Sequence, residues 1–433
     1  MSRRPRLMIL GGGSSQVSAL RRARELGFYV ILADRDPNAP GRRWADRFEA
    51  ASTFDVDAVQ EAAARAGADA LLAVGSDQPV YTAAAVSQRL QLPYPLSKEQ
   101  ACGVTNKAEM KPILRDAGVP LVPWTLLGSD PSNWGREGLG GLRPPWVAKP
   151  ADSQGQRGIR IVRSREELRE HLPVALAFSR ERRIVVEEYY PSREITVSGW
   201  AVGSGPAEGG GAEIWTVTDR VTFDPSFSLG VCLAHRYPSE AARGTEGNVR
   251  SITHRVVQAF DLRGVPIYFP MLLGEEGVRV NEVACRLGGA YEDMSIPLVS
   301  GVDTLVVQIN WYRKALGLEP VESDVSDSRR SRAFAVPLMF ARPGVVERLS
   351  GAEELREREG VAECRFLLPP GTRIERMTNS TQRIGYAVLH GNNRSTINNL
   401  VDTLFETLRV RDRSGENLLI DTREETKRTF EVE

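Results

Sequence analysis

Cysteine is scarce: Cys102, Cys232, Cys285 and Cys364 are the only four in 433 residues, far apart and without CxxC spacing. That argues against a structural zinc module and a disulfide framework, and predicts a reducing, cytoplasmic setting. An excess of charge of one sign is also missing. Lys plus Arg and Asp plus Glu both number 56, so the formal net charge is zero. Nucleic acids and anionic membranes attract a basic surplus, so neither is an expected partner. No run approaches the roughly 20 apolar residues of a membrane span. The start, MSRRPRLMILGGG, is basic but lacks an apolar h-region, so no leader is expected. A GxxxxGK(S/T) phosphate loop is absent too.

What remains is a chain that can bury a core. Apolar residues make up 41% and charged residues 26%, and the length suits about three domains of roughly 150 residues. LMIL (7–10) reads as a buried strand, GGGSSQ (11–16) as a turn, and VSALRRARELG as a helix ending at Gly27. YVILAD (29–34) and DALLAV (69–74) read as further strands, with a helix over about 80–90. This β-α-β rhythm predicts a doubly wound parallel sheet over residues 1–95. Lys98 to Gly118 reads as helical, and 128–145, rich in Gly and Pro, as a loop. WVAKP, GIRIV, RIVVEEYY, REITVSGWAV and EIWTVTD then follow as closely spaced strands of a mixed or antiparallel sheet. VPIYFPMLLGEEGVRVNEVACR reads as a hairpin, VDTLVVQINWYRKALG as a helix, and 319–332 as a linker or exposed loop. From Ala333 come short strands and one helix, 395–408.

Chemistry concentrates in a few segments. In VAKPADSQGQRGIRIV (147–162), Lys149 closes a strand, and the following glycine loop can offer backbone N–H groups to phosphate oxygens. On its own the stretch also reads as a surface loop with an incidental lysine. Glu187, Glu188, Tyr189 and Tyr190 lie at a strand end, with Glu194 a short loop later. Adjacent carboxylates in a half-buried strand are costly unless they bind something. VRVNEVACRLGGAYED puts Glu282, Arg286 and the Gly288–Gly289 pair in one run. A carboxylate for Mg²⁺, a guanidinium for a phosphoryl group and a close-approach glycine pair make a phosphoryl-transfer set.

Four segments in this order, TNKAEMK, VAKPADSQGQRGI, VVEEYYPSREITV and VRVNEVACRLGG, resemble the ATP-grasp superfamily over nearly the whole chain. Within it the sequence is similar to carboxylate–amine ligases such as L-amino-acid ligases, carbamoyl-phosphate synthetase and aminoimidazole ribonucleotide carboxylase-type synthetases. The resemblance implies an α/β plus α+β architecture. A doubly wound domain (1–95) would precede a two-lobed ATP-grasp clamp (96–330) and a small C-terminal α+β lobe (331–433). It implies ATP with Mg²⁺ (or Mn²⁺) as cofactors, carboxylate and amine substrates, and a homodimer as an allowed assembly. Lys107 and Lys149 would contact phosphates, and the loop carrying Ser153, Gly155 and Gly158 would close over them. Glu187, Glu188, Tyr189 and Tyr190 would receive adenine, largely through the backbone. Glu194 would hold the ribose, Glu282 the metal, and Arg286 the transferring phosphoryl group. The family reaction passes through an acyl phosphate that an amine attacks, releasing ADP and phosphate. Other uses of the same motifs are nucleotide binding without ligation and a purine- or carbamoyl-type acceptor.

Some residues keep two readings. GGGSSQ with Asp34 imitates a dinucleotide fingerprint, but the third glycine position holds Gln16, so a substrate-side or structural turn is expected. Asp77 is either a helix N-cap or a ligand-side carboxylate. His235 and Arg236 either line the substrate pocket or lie at the surface, and Asp219–Arg220 either faces the phosphates or does not. His171, His254 and His390 look unremarkable, and the tryptophans, Trp134 among them, are expected to pack without stacking. Depending on the hairpin turn, Glu282 faces Pro270 or Phe269, neither of which can ligate a metal. Ala284 offers no amide, leaving Glu292 or Asp293 to compensate.

Overall fold

The computed structural model describes residues 3–130, 139–203, 211–225, 229–323 and 331–428. The first unit runs β1 (Arg6–Leu10), α1 (Val17–Glu25), β2 (Tyr29–Asp34), β3 (Arg47–Ala50), α2 (Val56–Ala66), β4 (Ala70–Ala73) and α3 (Gln78–Leu90). Its four strands are parallel in the order β3-β2-β1-β4. Helices cover both faces, so Leu7, Met8, Ile9 and Leu10 are all fully buried. This is why the strand reads as a continuous apolar run rather than an alternation. Strand order reverses between β1 and β4, and ligands gather at the carboxyl ends of such a switch. The glycine turn there is braced internally: Gly12 N–H donates to Asp34 (2.7 Å) and Gln16 Nε2–H to Val74 O (2.8 Å). Asp34 thus serves the turn, in keeping with a structural reading of GGGSSQ.

The helical stretch expected over 98–118 is two helices, α4 (Lys98–Thr105) and α5 (Lys107–Asp116). Asn106 breaks them by adopting an extended backbone while its side chain caps α5 at Ala108 N–H. The break puts Lys107 at the first position of α5, where its N–H donates to Ala151 O at 2.8 Å. A small lobe follows: β5 (Trp124–Leu127), β6 (Trp146–Pro150), β7 (Arg160–Val162), α6 (Arg165–Ala177) and β8 (Ile184–Glu188). Its antiparallel sheet has the order β5-β8-β6-β7.

The remaining strands build one large antiparallel sheet. It begins with β9 (Arg193–Gly203), β10 (Gly211–Thr222), β11 (Cys232–Tyr237), α7 (Glu246–Ala259), β12 (Val265–Gly274) and β13 (Gly277–Val280). Helices α8 (Glu292–Ser295), α9 (Pro297–Ser300) and α10 (Thr304–Ala315) leave it, and α10 packs Ile309 and Tyr312 into the core of the first unit beside Leu7 and Ile9. The chain returns as β14 (Ala333–Met339), β15 (Gly344–Val345), β16 (Arg348–Ser350), α11 (Ala352–Arg356), β17 (Val361–Phe366), β18 (Arg373–Ile374), β19 (Gly385–Gly391), α12 (Arg394–Thr407), β20 (Arg409–Arg411) and α13 (Arg423–Lys427). Strand order is β13-β12-β9-β10-β11-β14-β19-β17. The pairing of β11 with β14 therefore carries the sheet straight across the boundary expected at 330/331. Residues 324–330 of the expected linker, and Trp134, lie outside the described residues. Trp200 and Trp215 do stack across β9 and β10, ring centroids 6.3 Å apart, contrary to expectation.

The hairpin turn has two residues, Glu275 and Glu276, since Gly274 pairs with Gly277. That register would set Glu282 opposite Phe269. A bulge intervenes: the N–H groups of Asn281 and Glu282 both reach Pro270 O, at 3.0 and 3.4 Å, and pairing resumes at Tyr268–Ala284. Two residues thus oppose one, and Pro270 ends up facing Glu282 after all.

Candidate active site

A cavity of about 1190 Å³ opens where all these parts meet. It is lined by Ser14 and Asp77 from the first unit, Lys149 and Gly155 from the small lobe, Glu282 and Arg286 from the hairpin region, and Arg383 from the C-terminal lobe.

Cations on its floor are held by carboxylates. Lys149 Nζ lies 2.8 Å from Glu187 Oε2 and 3.2 Å from Asn281 Oδ1. Glu187 also pairs with Lys111, whose side chain is 1% exposed. Burial alone would raise the Glu187 carboxyl, but the two ammonium groups outweigh it and hold it at about 2. Burial pulls the Lys111 ammonium down, against the attraction of Glu187. Lys107 Nζ lies 2.9 Å from Glu282 Oε1 and donates to Ser153 O at 3.0 Å, which pins the start of the glycine loop. Burying a charge costs several kcal/mol unless it is paired, and here each lysine has its carboxylate. Sequence reasoning missed Lys111, although its spacing from Lys107, one helical turn, puts both on one face of α5.

Of the residues expected to face a nucleotide, some line the cavity and some do not. Val147, Ile159, Leu272 and Tyr189 give an apolar slot beside Lys149. The backbone N–H groups of Glu188 and Tyr189 are already committed to Pro123 O (3.0 Å) and Pro145 O (2.8 Å), so they are not available to a base. The side chains differ from expectation as well: Glu187 faces the lysines, and Glu188 accepts from Arg143 N–H at 2.9 Å. Tyr190 donates its hydroxyl to Gly277 O (2.7 Å), holding the hairpin turn. Glu194 lines the cavity and pairs with Arg220. Within the loop, Ser153 and Gly155 line the cavity. Gly158 does not: it has a positive φ of 72°, a Cβ there would come within 2.9 Å of Phe178, and its carbonyl lies 3.0 Å from His171 Nε2. His171 is thus a brace for the loop.

Elsewhere on the cavity wall, Arg286 lies with Nε and Nη2 both 2.7 Å from Asp77 Oδ1, and its guanidinium sits over the Tyr268 ring at 4.5 Å. Asp77 makes no side-chain cap of α3. His235 lines the cavity, its Nδ1 3.1 Å from Thr218 Oγ1. Burial, with Arg220 and Arg383 nearby, pushes its imidazole down to about 3, so it stays neutral near pH 7. Arg236 does not join it. Successive strand residues face opposite ways, and Arg236 instead bonds Asn398 (2.9 Å) on the far face. Asp219 likewise turns away and accepts from Ser239, Glu240 and Ala241.

The glycine pair serves close packing. A Cβ on Gly288 would come within 2.6 Å of both Tyr268 and Glu292, and one on Gly289 within 2.8 Å of Gly75 O. Only Gly289 lines the cavity. Glu292 accepts from Gly288 N–H (2.6 Å) and from the Ser198 hydroxyl, and burial raises its carboxyl to about 7. Asp293 is bonded to Ser18. Neither acid lines the cavity, so neither compensates for Pro270.

Metal donors are therefore few. Among the described residues no group of three or more His, Cys, Asp or Glu side chains could hold an ion. Glu282, with the Asn281 amide beside it, fits a cation that keeps most of its own shell. Mg²⁺ behaves so, retaining waters and leaning on nucleotide phosphates.

Comparison with known proteins agrees with this fold. Residues 113–288 match the family model of the D-ala D-ala ligase C-terminus, and residues 337–413 that of L-amino acid ligase C-terminal domain 2. A D-alanine–D-alanine ligase from a Synechococcus strain is 32% identical over 207 residues, 44% of this chain and 57% of that protein. An uncharacterized protein of Sinorhizobium fredii is 26% identical over 410 residues, 92% of this chain and 80% of that one. The crystal structure of an L-amino acid ligase from Bacillus licheniformis superposes with a TM-score of 0.76 at 17% identity, covering 95% of this chain and 100% of that one. Among the described residues no helix is long and apolar enough to cross a membrane. Residues 113–288 are thus similar to the D-ala D-ala ligase C-terminus and residues 337–413 to L-amino acid ligase C-terminal domain 2, on a fold shared with the solved L-amino acid ligase.

Proposed function

We propose that this protein is an ATP-dependent, ADP-forming carbon–nitrogen ligase that joins the carboxylate of one small molecule, an amino acid or a related metabolite, to the amine of another. The observation that carries the reading is the convergence of Lys107, Lys149, Glu282 and Arg286 on one cavity with room for a nucleotide and two small substrates. Lys107 and Lys149 would exchange their carboxylate partners for phosphate oxygens. Arg286, fixed by Asp77, would steady the transferring phosphoryl group as charge develops on it. The substrate carboxylate attacks the γ-phosphorus, giving an acyl phosphate and ADP, and the amine then displaces phosphate. The glycine loop would exclude water, which otherwise hydrolyses the acyl phosphate. Glu282 would hold Mg²⁺ or Mn²⁺, which supplies charge neutralisation on the phosphates.

The test is a screen of amino-acid pairs for phosphate release, with nucleotide products separated. ADP and phosphate formed only when both partners are present support the reading. AMP as the stoichiometric product overturns it. The thin metal donor set favours one other reading, nucleotide binding without ligation, which predicts no substrate-dependent turnover with any divalent ion.

A further inference from the structure

Among the parts of the C-terminal lobe that line the cavity is one short turn, Asn379–Arg383, that touches two different regions of it. Ser380 N–H donates to Gly155 O at 3.2 Å, so the lobe holds the middle of the glycine loop. The approach is close: a Cβ on Gly155 would lie 3.3 Å from Ser380 Oγ and 3.4 Å from Thr381 Cγ2. Three residues on, Arg383 lines the same cavity, its guanidinium 5.6 Å from the centre of the Tyr291 ring. Tyr291 stacks on Tyr386, and its hydroxyl lies 3.2 Å from Ser14 Oγ. Arg383 thus sits on an aromatic platform well away in sequence from the lysines that would grip phosphates.

Its charge is uncompensated. Arg220, Arg286 and Arg365 of the same cavity each have a carboxylate within 4 Å: Glu194, Asp77 and Glu363. Arg383 has none among the described residues. Arg43, Arg157 and Arg428 also lack one, but Arg43 and Arg428 are exposed, Arg43 lying over Trp44, and Arg157 belongs to the glycine loop and bonds Gln154 O. Between Ser380 and Arg383 the backbone is fixed: Asn379 accepts from Thr381 N–H (3.0 Å), and Gln382 Oε1 accepts from the N–H groups of Thr378 (2.7 Å) and Asn379 (3.2 Å). Movement at one end of so short and braced a turn must be felt at the other.

We propose that the Asn379–Arg383 turn is a positioning element that ties the two halves of the site together. Arg383 takes the carboxylate of a substrate, the one that is not activated, and Ser380 N–H latches the glycine loop over the nucleotide. Occupancy of the substrate pocket then favours the closed loop, and ATP is exposed to transfer when a substrate is there to receive the phosphoryl group. The Arg383 half rests on the ligase reading. The Ser380 half does not, because it is read with nucleotide alone.

Substitutions at two residues separate the halves. Ser380 is the first residue of its helical turn and follows an extended Asn379, a place where proline is tolerated, so Ser380→Pro removes the N–H. Hydrogen exchange over residues 152–158 is measured with MgADP. In the parent, ADP protects the loop; in Ser380→Pro that protection falls at least tenfold, while the thermal midpoint of the apo protein is retained. Equal protection in both overturns the latch. For Arg383, each proteinogenic amino acid is added with MgADP, and the one giving most phosphate release with ATP is used for kinetics. Arg383→Met raises its KM at least tenfold with the KM for ATP changed less than twofold, Arg383→Lys recovers part of the loss, and Arg383→Met no longer shows extra loop protection on amino-acid addition. Unchanged KM, or full amino-acid-induced protection in Arg383→Met, overturns the sensor. If no amino acid supports turnover in the parent, the ligase reading and the Arg383 half fall together, and the ADP result on Ser380 still stands by itself.

Discussion

Arg286 and Asp77 are 209 residues apart in sequence and join the clamp to the first unit through two contacts of 2.7 Å. The pair fixes the guanidinium over Tyr268 and aims it into the cavity. It also explains why Asp77 follows the switch-point strand without capping the next helix.

Asp77→Ala leaves the Arg286 guanidinium buried without its carboxylate partner. Removing one member of such a pair costs about 3 kcal/mol of stability, and displacing a transition-state group by about 1 Å costs roughly 100-fold in turnover. We expect kcat to fall at least tenfold with little change in the KM for ATP. Arg286→Lys should not restore it, since an ammonium cannot make the two-point contact. Steady-state kinetics alongside chemical denaturation check this; wild-type kcat in folded Asp77→Ala would remove Arg286 from the chemistry.

Glu187 balances two buried lysines. Glu187→Gln should destabilise the protein by about 3 kcal/mol, because Lys111 and Lys149 then repel each other without an anion between them. Adding Lys111→Met should recover most of the stability by removing the surplus charge. Turnover should stay low in both variants, because Lys149 has lost the group that positions it. Urea midpoints and initial rates separate the two effects, and a double variant no more stable than Glu187→Gln would refute the charge account.

Glu292 gives a pH signature. Its carboxyl, raised to about 7 by burial, lies above its ordinary value of 4.5. The folded state therefore binds a proton that the unfolded chain releases, so this contribution to stability is full below pH ~4.5 and is lost as pH rises through ~7. The loss is on the order of 3 kcal/mol. Glu292→Gln cannot titrate, so the parent should lose stability relative to it between pH 5 and pH 8. Parallel curves of thermal midpoint against pH would mean that Glu292 titrates normally.

Much of this site was legible in the sequence where a local signal existed. Lys149 before a glycine loop, Glu282 in a hairpin and Arg286 four residues on are close in the chain, and short segments carry their own chemistry. The parallel strands were legible because burial on both faces makes them apolar throughout. What escaped depended on distant partners. The pairing of β11 with β14 spans about a hundred residues, so nothing local announces that the sheet continues past residue 330. Nothing near Lys111 in the chain announces Glu187, its partner from β8. Arg383 carries no motif at all. Arg236 could have been set aside, since strand alternation gives the cavity only one of two neighbours, and His235 is that one.

The expected metal requirement follows from one bulge. Because the N–H groups of both Asn281 and Glu282 reach Pro270 O, Pro270 faces Glu282 across the hairpin and offers no ligand. Glu292 and Asp293 are turned elsewhere, to Gly288 and Ser18. A divalent ion here would have Glu282 as its main protein ligand, and Lys107 would have to release that carboxylate first, from a contact of 2.9 Å. Weak binding by few protein ligands is tolerable for Mg²⁺, which keeps its waters and is delivered with ATP. We therefore expect turnover to saturate only at Mg²⁺ concentrations well above the ATP concentration. Pro270→Glu places a second carboxylate across from Glu282 and should lower the half-saturating Mg²⁺ severalfold. Glu282→Ala should raise it by more than tenfold, with Mn²⁺ rescuing better than Mg²⁺. The measurement is a Mg²⁺ and Mn²⁺ titration of ATP cleavage at fixed ATP with the active amino-acid pair present. An unchanged metal dependence in Glu282→Ala would show that the ion is held elsewhere.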